Sequence, residues 1–406
     1  MGQKREYASL LLEESLGLPR GSVDPGAIPA ELVGALEDAL KGSESSRSPE
    51  PRLEKMIQDV GRDMSDSTLD TQGFVVSKER WPQAAKYAVC LTHDVDSLSQ
   101  PFAHVFQRRA RFSLSDLLLG LTGLRNLYDN VSYVIGLERK RNLRSSFYFL
   151  SGSYDLRPRS ELLGTIAREG WDVGLHGDFG THDSQQGMSE ALARMRQMTG
   201  MVPLGVREHY LRFDFASTWK IMEAAGFRYD TTVGNSDTLG FRIGLCNPFH
   251  PPDENWKPRS LLELPLVLMD TTLWGYLKVT EAEGLRDFEA LRRSVESVNG
   301  LFTVLWHQES TRMKGGRIYP ALLDILLRDG CYIGSGLAVA EWWNRRASPL
   351  VKEGKTFRME AAPAGLVLRS RSRKGEAPLA TGAEVSVDGD GATIKAKGGP
   401  LEVAFR

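Results

Sequence analysis

Cysteine is scarce in this chain. Cys90, Cys246 and Cys331 are its three thiols, and they lie far apart in sequence. No C-x-x-C pair occurs, so neither a disulfide framework nor a thiolate zinc site is indicated, and buried thiols are the plain expectation. Long apolar runs are missing as well: no uncharged stretch approaches the ~18 residues that cross a bilayer. Met1 leads through Lys4 and Arg5 into an acidic helical pattern, not an apolar leader. Glu6 and Tyr7 stand where a myristoylation signal wants Ser or Thr. A soluble chain in a reducing, cytoplasmic setting is expected, with no transmembrane segment. An excess of charge is also lacking. Lys and Arg number 51 against 52 Asp and Glu, a net charge of −1. No global basic field therefore points to nucleic acid.

What is present falls into three parts within 406 residues, room for two or three domains. Residues 1–80 read as an N-terminal helical appendage, with Ile28, Leu32, Leu36 and Leu40 forming an amphipathic stripe. Lys41 to Pro51 is a polar, Pro-containing linker. Residues 81–346 alternate strand and helix patterns. Strands are predicted at Ala88–Val95, Ser146–Leu150, Asp172–Leu175, Leu264–Leu268, Leu301–Trp306 and Cys331–Gly334. Helices separate them, several ended by Gly170, Gly200, Gly226 or Gly300. This order argues for an α/β fold on a parallel sheet, open or closed into a barrel. A helical region over about 102–142 carries Leu117, Leu118, Leu121 and Leu124, expected to pack against the main domain. Its Arg108, Arg109 and Arg111 either meet an anionic substrate or form a solvated face. Residues 350–406 read as a small antiparallel β unit of short alternating runs, with Asp388-Gly389-Asp390-Gly391 as a hairpin signal. Cutting after about Ala347 is expected to leave a folded barrel.

The chemistry gathers at strand ends. After the apolar run Ala88-Val-Cys-Leu91, Asp94 and Asp96 follow at i, i+2 and share one face of the strand. Two like charges there call for a cation or a shared proton. His93, His176, His182, His209 and His307 fall in or beside other strand ends, as do Arg207 and Asp270. In barrel-like α/β folds such positions converge at one rim. Two imidazoles and a carboxylate make a facial set suited to zinc or another divalent first-row ion. His104 and His250 are left as structural residues.

The motifs Thr92-His-Asp-Val-Asp96, Gly174-Leu-His-Gly-Asp-Phe-Gly-Thr-His182, Gly205-Val-Arg-Glu-His-Tyr210, Leu266-Val-Leu-Met-Asp270 and Val304-Leu-Trp-His307 occur in a telling order. The series resembles the polysaccharide deacetylase family, the NodB-homology domain of carbohydrate esterase family four, over about residues 85–345. More narrowly it is similar to the branch with a His-Asp-Val-Asp first motif, often linked with surface polysaccharide assembly. The resemblance implies a distorted (β/α)7-type barrel. It implies that Asp94 is the catalytic base, that Arg207 pairs with it, and that Asp96 and His176 are metal ligands. His182 stands six residues after His176 where the family spacing is four, so the third ligand is His182 or His209. Tyr210 is implied as the oxyanion donor through its backbone N–H. His307 is implied as the general acid, oriented by Asp270. His93 replaces the family's usual aromatic residue and by alternation faces away from the two aspartates. Trp274 and Trp306 are candidates for stacking on a sugar ring.

The resulting expectation is a metal-dependent deacetylase, holding one divalent ion with zinc the first choice. It would hydrolyse an N-acyl group of an acylated sugar or other carbohydrate. Two other classes stay open. A non-catalytic carbohydrate-binding relative would account for the irregular second motif. A nucleotide-sugar glycosyltransferase would use Asp94 and Asp96 as a metal–diphosphate pair, but leaves His176, Arg207 and His307 without a task.

Overall fold

The computed structural model describes residues 1–99, 102–107, 109–372, 377–388 and 391–405. Arg108 and the Gly389-Asp390 pair of the hairpin signal lie outside them. Three helices open the chain: α1 (Gly2–Leu16), α2 (Ala30–Leu40) and α3 (Arg52–Gln72). The strand β1 (Phe74–Lys78) follows, where the sequence suggested only helix. Then come β2 (Ala88–Val95), β3 (Ser146–Leu150), β4 (Asp172–Gly177), β5 (Gly205–Glu208), β6 (Tyr229–Asp230), β7 (Leu262–Glu263), β8 (Leu266–Met269), β9 (Leu301–Leu305) and β10 (Tyr332–Gly334).

Strands β2 to β10 form one sheet in the order β7-β6-β5-β4-β3-β2-β9-β8, with β10 beside the start of β2. The pairings are parallel throughout. All eight residues of β2 are buried, as expected of a central strand covered on both faces. The sheet's edge strands β7 and β8 are consecutive in the chain, with Leu264 and Pro265 between them. Pro265 has no N–H to give a ladder, so the strand predicted over Leu264–Leu268 breaks there. The chain itself thus joins the two edges, and the sheet curls into a distorted (β/α) barrel. Helices return on its outside. Glu281–Ser297, for example, starts at a Thr280/Glu283 capping box and buries Phe288, Leu291 and Val295.

The crossover from β6 to β7 contains no helix. The N-terminal helices cover that flank instead. Backbone bonds join Ser48 and Phe241 in both directions (3.0 and 2.7 Å), and Glu54 N–H donates to Gly244 O (3.1 Å). Leu12, Ile28, Leu32 and Leu36 share one apolar core with Val89, Phe147 and Val206 of the barrel. The Ile28–Leu40 stripe is therefore barrel packing.

The tail adds β11 (Val351–Glu353), β12 (Thr356–Ala362), β13 (Val367–Ser372), β14 (Leu379–Thr381), β15 (Ala383–Asp388), β16 (Gly391–Ala396) and β17 (Gly399–Ala404). They form two antiparallel sheets, β1-β13-β16-β15 and β11-β12-β17-β14. The first borrows β1, which pairs with β13 over Phe74–Lys78 and Leu368–Ser372. Phe74, Val76, Trp81 and Trp343 lie in one cluster with Phe357, Leu368 and Val403. Gly17 marks how closely the parts approach: it adopts φ 69°, and a Cβ there would stand 2.2 Å from Lys78 O. The expectation that the tail can be cut away does not fit this packing, because a strand from before the barrel completes the tail's sheet.

The helical region after β2 also departs from expectation. Leu117 packs inward, but Leu118, Leu121 and Leu124 are exposed.

Candidate metal centre

Because the barrel strands run parallel, their C-terminal ends share one rim. Asp94 lies one residue before the end of β2 and is buried. Its Oδ1 accepts a hydrogen bond from Arg207 Nη1 (3.0 Å). Arg207 is itself fully buried on β5. It donates to Thr92 Oγ1 (2.8 Å), Thr231 O (3.0 Å) and Thr231 Oγ1 (3.0 Å), and its guanidinium lies 4.8 Å from the Tyr148 ring centroid. Four bonds hold one plane, so the fork presents Asp94 in a single orientation. Thr92 and Thr231 escaped the sequence reading. Thr92 carried a usable signal, since it lies two residues before Asp94 on the same strand face.

Asp94 Oδ2, the oxygen not held by Arg207, lies 3.6 Å from His176 Nε2. His176 lies one residue before the end of β4, and its Nδ1 meets Arg207 O at 2.8 Å. A carbonyl can only accept, so Nδ1 carries the proton and Nε2 presents its lone pair. That Nε2 lies 3.4 Å from Asp96 Oδ1. His209 Nε2 lies 3.8 Å from the same oxygen. One ligand atom from each of Asp96, His176 and His209 falls within 4.8 Å of the others. Asp96 Oδ1 and His176 Nε2 are both buried with no hydrogen-bond partner. Two orphaned atoms facing one another, with a second imidazole beside them, fit a divalent cation.

The electrostatics agree. Burial opposes charge on the Asp96 carboxyl, but the imidazoles of His176, His307 and His209 outweigh it and hold it below the ordinary carboxylate range. Burial pushes the His176 imidazole down, and the Asp94 and Asp96 carboxylates outweigh that and raise it. The pocket thus favours positive charge between these groups. His209 goes the other way: burial and the neighbouring His176 lower it, which keeps it neutral and fit to ligate.

His209 reaches the site through an unusual turn. After β5, Tyr210 and Leu211 adopt φ of 61° and 52°, left-handed values that ordinary side chains seldom take. The Tyr210 ring stacks on His209 with centroids 4.0 Å apart, so the backbone strain and the imidazole's position go together. The Tyr210 side chain itself is exposed.

His182 is not brought to the cluster. Thr181 N–H donates to Asp178 O (3.1 Å) and Thr181 Oγ1 bonds both Asp178 O (2.8 Å) and Glu208 Oε2 (2.5 Å). This closes residues 178–181 into a tight turn that carries His182 past the rim. Its Nε2 faces Asp183 (3.7 Å) and its carbonyl accepts from Thr218 Oγ1 (2.8 Å). A Cβ at Gly177 would stand 2.1 Å from Glu208 Oε2 and 2.6 Å from Thr181 Oγ1, so a larger residue there would displace the pair that closes the turn. Of the two candidates for third ligand, the geometry selects His209.

On the opposite wall, His307 follows β9. Its Nδ1 contacts Asp270 Oδ1 at 2.6 Å and Thr271 Oγ1 at 3.2 Å, and its Nε2 lies 3.8 Å from Asp96 Oδ2. Burial opposes its charge, but the fully buried Asp270 carboxylate overrides this and raises the imidazole well above its ordinary value. His307 is a charged donor aimed across the site. Glu309, two residues on, is a further group the sequence reading passed over. Burial, then the nearby Asp96, pushes its carboxyl up to about 8, and its Oε1 accepts from Ser97 N–H (2.8 Å).

His93 faces the other way, between Trp306 O (2.6 Å) and Glu138 Oε1 (2.9 Å). Trp306 cannot stack on a sugar: it is fully buried with its indole N–H on Gly316 O (3.0 Å). Trp274 packs edge-on against it and lies against Gly284 and Gly315.

No family model and no curated protein sequence matches the chain. Solved structures do. A candidate polysaccharide deacetylase from Mycobacterium smegmatis aligns with TM-score 0.47 and 20% identity, over 65% of this chain and 92% of its own. An allantoinase aligns with TM-score 0.46 and 16% identity, over 66% and 93%. A family 4 carbohydrate esterase from Streptomyces lividans, solved with acetate, aligns with TM-score 0.34 and 13% identity, over 62% and 93%.

Proposed function

We propose that the chain is a metal-dependent N-acyl hydrolase of the polysaccharide deacetylase family, acting on an N-acetylated sugar or surface-polysaccharide precursor. The observation that carries this reading is the pair of orphaned, mutually facing atoms, Asp96 Oδ1 and His176 Nε2, between two finished dyads, Asp94–Arg207 and Asp270–His307. Asp96, His176 and His209 would hold the ion, and zinc suits two imidazoles and a carboxylate. When bound, such an ion polarises an acyl oxygen and lowers the pKa of water.

The protein's own groups divide the remaining work. Asp94 Oδ2 is free of Arg207 and accepts the proton of the attacking water. The Tyr210 backbone N–H supports the oxyanion, a role its strained turn suits. His307, kept protonated by Asp270, donates to the leaving sugar amine as the C–N bond breaks. A carboxylate and an amine result. The Arg207 bond also argues against a glycosyltransferase, because an aspartate pinned by arginine is poorly free to join a metal–diphosphate pair. A reducing, cytoplasmic setting accords with three unpaired cysteines, of which burial pushes Cys90 up to about 12.

The test is acetate release from N-acetylglucosamine oligomers, before and after chelation and again after zinc is restored. Loss on chelation and recovery with zinc is the expected result. Metal-loaded protein inert toward acetamides, formamides and activated esters alike would sink the reading and leave a carbohydrate-binding relative in its place.

A further inference from the structure

The excursion between β2 and β3 forms one wall of the rim. Gln308, next to His307, donates to Ser97 O (3.0 Å) and Tyr128 O (2.6 Å), and Lys314 N–H donates to Arg111 O (2.7 Å). Val105, Phe112, Leu127 and Tyr128 pack on Met313 beneath. The excursion is therefore fixed to the segment that carries His307.

Its outer face is unlike the rest of the surface. The helix Leu114–Leu121 begins at Ser113, whose side chain accepts from Asp116 N–H. It turns Leu117 and Gly120 inward and leaves Leu114, Leu118 and Leu121 outward. These three are spaced i, i+4, i+7, a single stripe. With Phe106 and Leu124 they are between 47% and 78% exposed. More exposed apolar side chains follow other strands at the same rim: Phe179 after β4, and Tyr276 and Leu277 after β8.

Basic groups border the stripe. Arg109, Arg111 and Lys314 are exposed, and among the described residues no ion pair engages them. The Arg109 guanidinium lies 4.7 Å from the Phe106 ring centroid, an apolar ring under a cation. No helix among the described residues is long and apolar enough to cross a membrane.

An apolar stripe bordered by unpaired cations has the composition of an interfacial helix. The geometry points to this face as a docking surface for an anionic lipid bilayer, which sets the rim carrying Asp96 and His307 toward the membrane. The charge complementarity selects lipid over a second copy of the chain, whose matching face would carry the same cations. The docking stands apart from the hydrolysis proposed above and is read without it.

The full chain is sedimented with vesicles of equimolar phosphatidylglycerol and phosphatidylcholine, and with vesicles of phosphatidylcholine alone. Binding to the mixed vesicles only, weakening as salt rises, is expected. Leu114→Ser/Leu118→Ser/Leu121→Ser should weaken it at least roughly tenfold. Arg109→Gln/Arg111→Gln/Lys314→Gln should weaken it to a similar degree and flatten the salt dependence. Circular dichroism should match the parent in both variants. Three results would overturn the proposal: no binding by the parent chain, equal binding by both variants, or self-association by light scattering that the leucine variant abolishes while no vesicles are bound.

Discussion

The two ends of the barrel bury charge in opposite ways. At the end where the strands begin, Lys78 donates to Arg346 O (2.8 Å) and Ser348 O (3.0 Å). Arg346 donates to Glu79 O (2.8 Å) and Glu14 O (2.6 Å), and Arg80 to Ser15 O (2.7 Å) and the Ser15 hydroxyl (2.9 Å). Trp81, Trp342 and Trp343 each place their indole N–H on an oxygen of another segment. At the other end, Asp96 Oδ1, His176 Nε2 and Asp270 Oδ2 have no partner. Burial alone therefore does not separate scaffold from site. Open atoms occur elsewhere too, at Asn247 and Thr303 for example; what marks the rim is that two of them, Asp96 Oδ1 and His176 Nε2, face one another at 3.4 Å.

The strongest way to break this contrast is to remove the tail. Ending the chain after Ala347 strips β13 from β1 and uncovers Phe74, Val76 and Trp343. We expect loss of the cooperative thermal transition and of near-ultraviolet circular dichroism. A truncated chain that melts sharply and still binds zinc would show the two ends to be independent.

Point substitutions sharpen it. Arg346→Met removes the guanidinium bonds to Lys78 O and Glu79 O and leaves Glu14 O only its bond from Gly17 N–H, and should cost about 2–5 kcal/mol in denaturant unfolding. Asp96→Ala at the rim should cost less in the metal-free chain, since its Oδ1 makes no hydrogen bond, although the imidazoles that hold its carboxyl below the ordinary range lose their counter-charge. Zinc content should reverse that order: full in Arg346→Met that remains folded, absent in Asp96→Ala, His176→Ala and His209→Ala, retained in His182→Ala. Retention in His209→Ala would return the third ligand to another group.

Within the rim the two dyads should separate. Asp94→Asn should abolish hydrolysis and keep the metal, since an amide accepts no proton at neutral pH. His307→Ala should keep the metal and lower turnover by roughly 10²–10⁴. An activated aryl ester, whose leaving group needs no proton, should restore much of the His307 loss and none of the Asp94 loss. Equal rescue of both would merge the two roles.

A last effect is one of pH. Burial, then the charge of Arg346, lowers the Lys78 ammonium to about 7, against about 10.4 for a free lysine. Between these values the unfolded chain binds a proton that the folded chain does not, so stability should rise with pH through that window. Lys78→Met should flatten the rise when unfolding is followed from pH 7 to 10.

Local pattern was enough for much of the barrel. Ser146–Leu150 was read to the residue, because five apolar or small side chains buried on both faces leave no alternative pairing. The helix ending at Gly200 was equally readable, since that residue takes the left-handed φ of 72° a helix stop needs. The members of the site were readable too, as polar residues that interrupt apolar strands. Other features depended on partners remote in sequence. β1 forms because β13, some three hundred residues on, supplies its hydrogen bonds. α1 to α3 cover a barrel flank whose own crossover has no helix. The apolar side made by Leu117, Leu118, Leu121 and Leu124 reads as packing against the main domain, yet only Leu117 turns inward, because which face of a helix meets the protein depends on what the neighbouring loops leave open.

The sequence by itself determined an α/β fold on a parallel sheet and a set of acids, histidines and one arginine at its strand ends; closure into a barrel came from the family resemblance and the tertiary structure. Periodicity and strand-end position are local properties of the chain, and both survive folding unchanged. Only the tertiary structure decided that His209 joins Asp96 and His176 while His182 does not. That choice hangs on a turn closed by Thr181 and Glu208 and on the left-handed backbone at Tyr210. Spacing along a chain constrains how far a ligand can reach, and the neighbouring strand decides where its lone pair points.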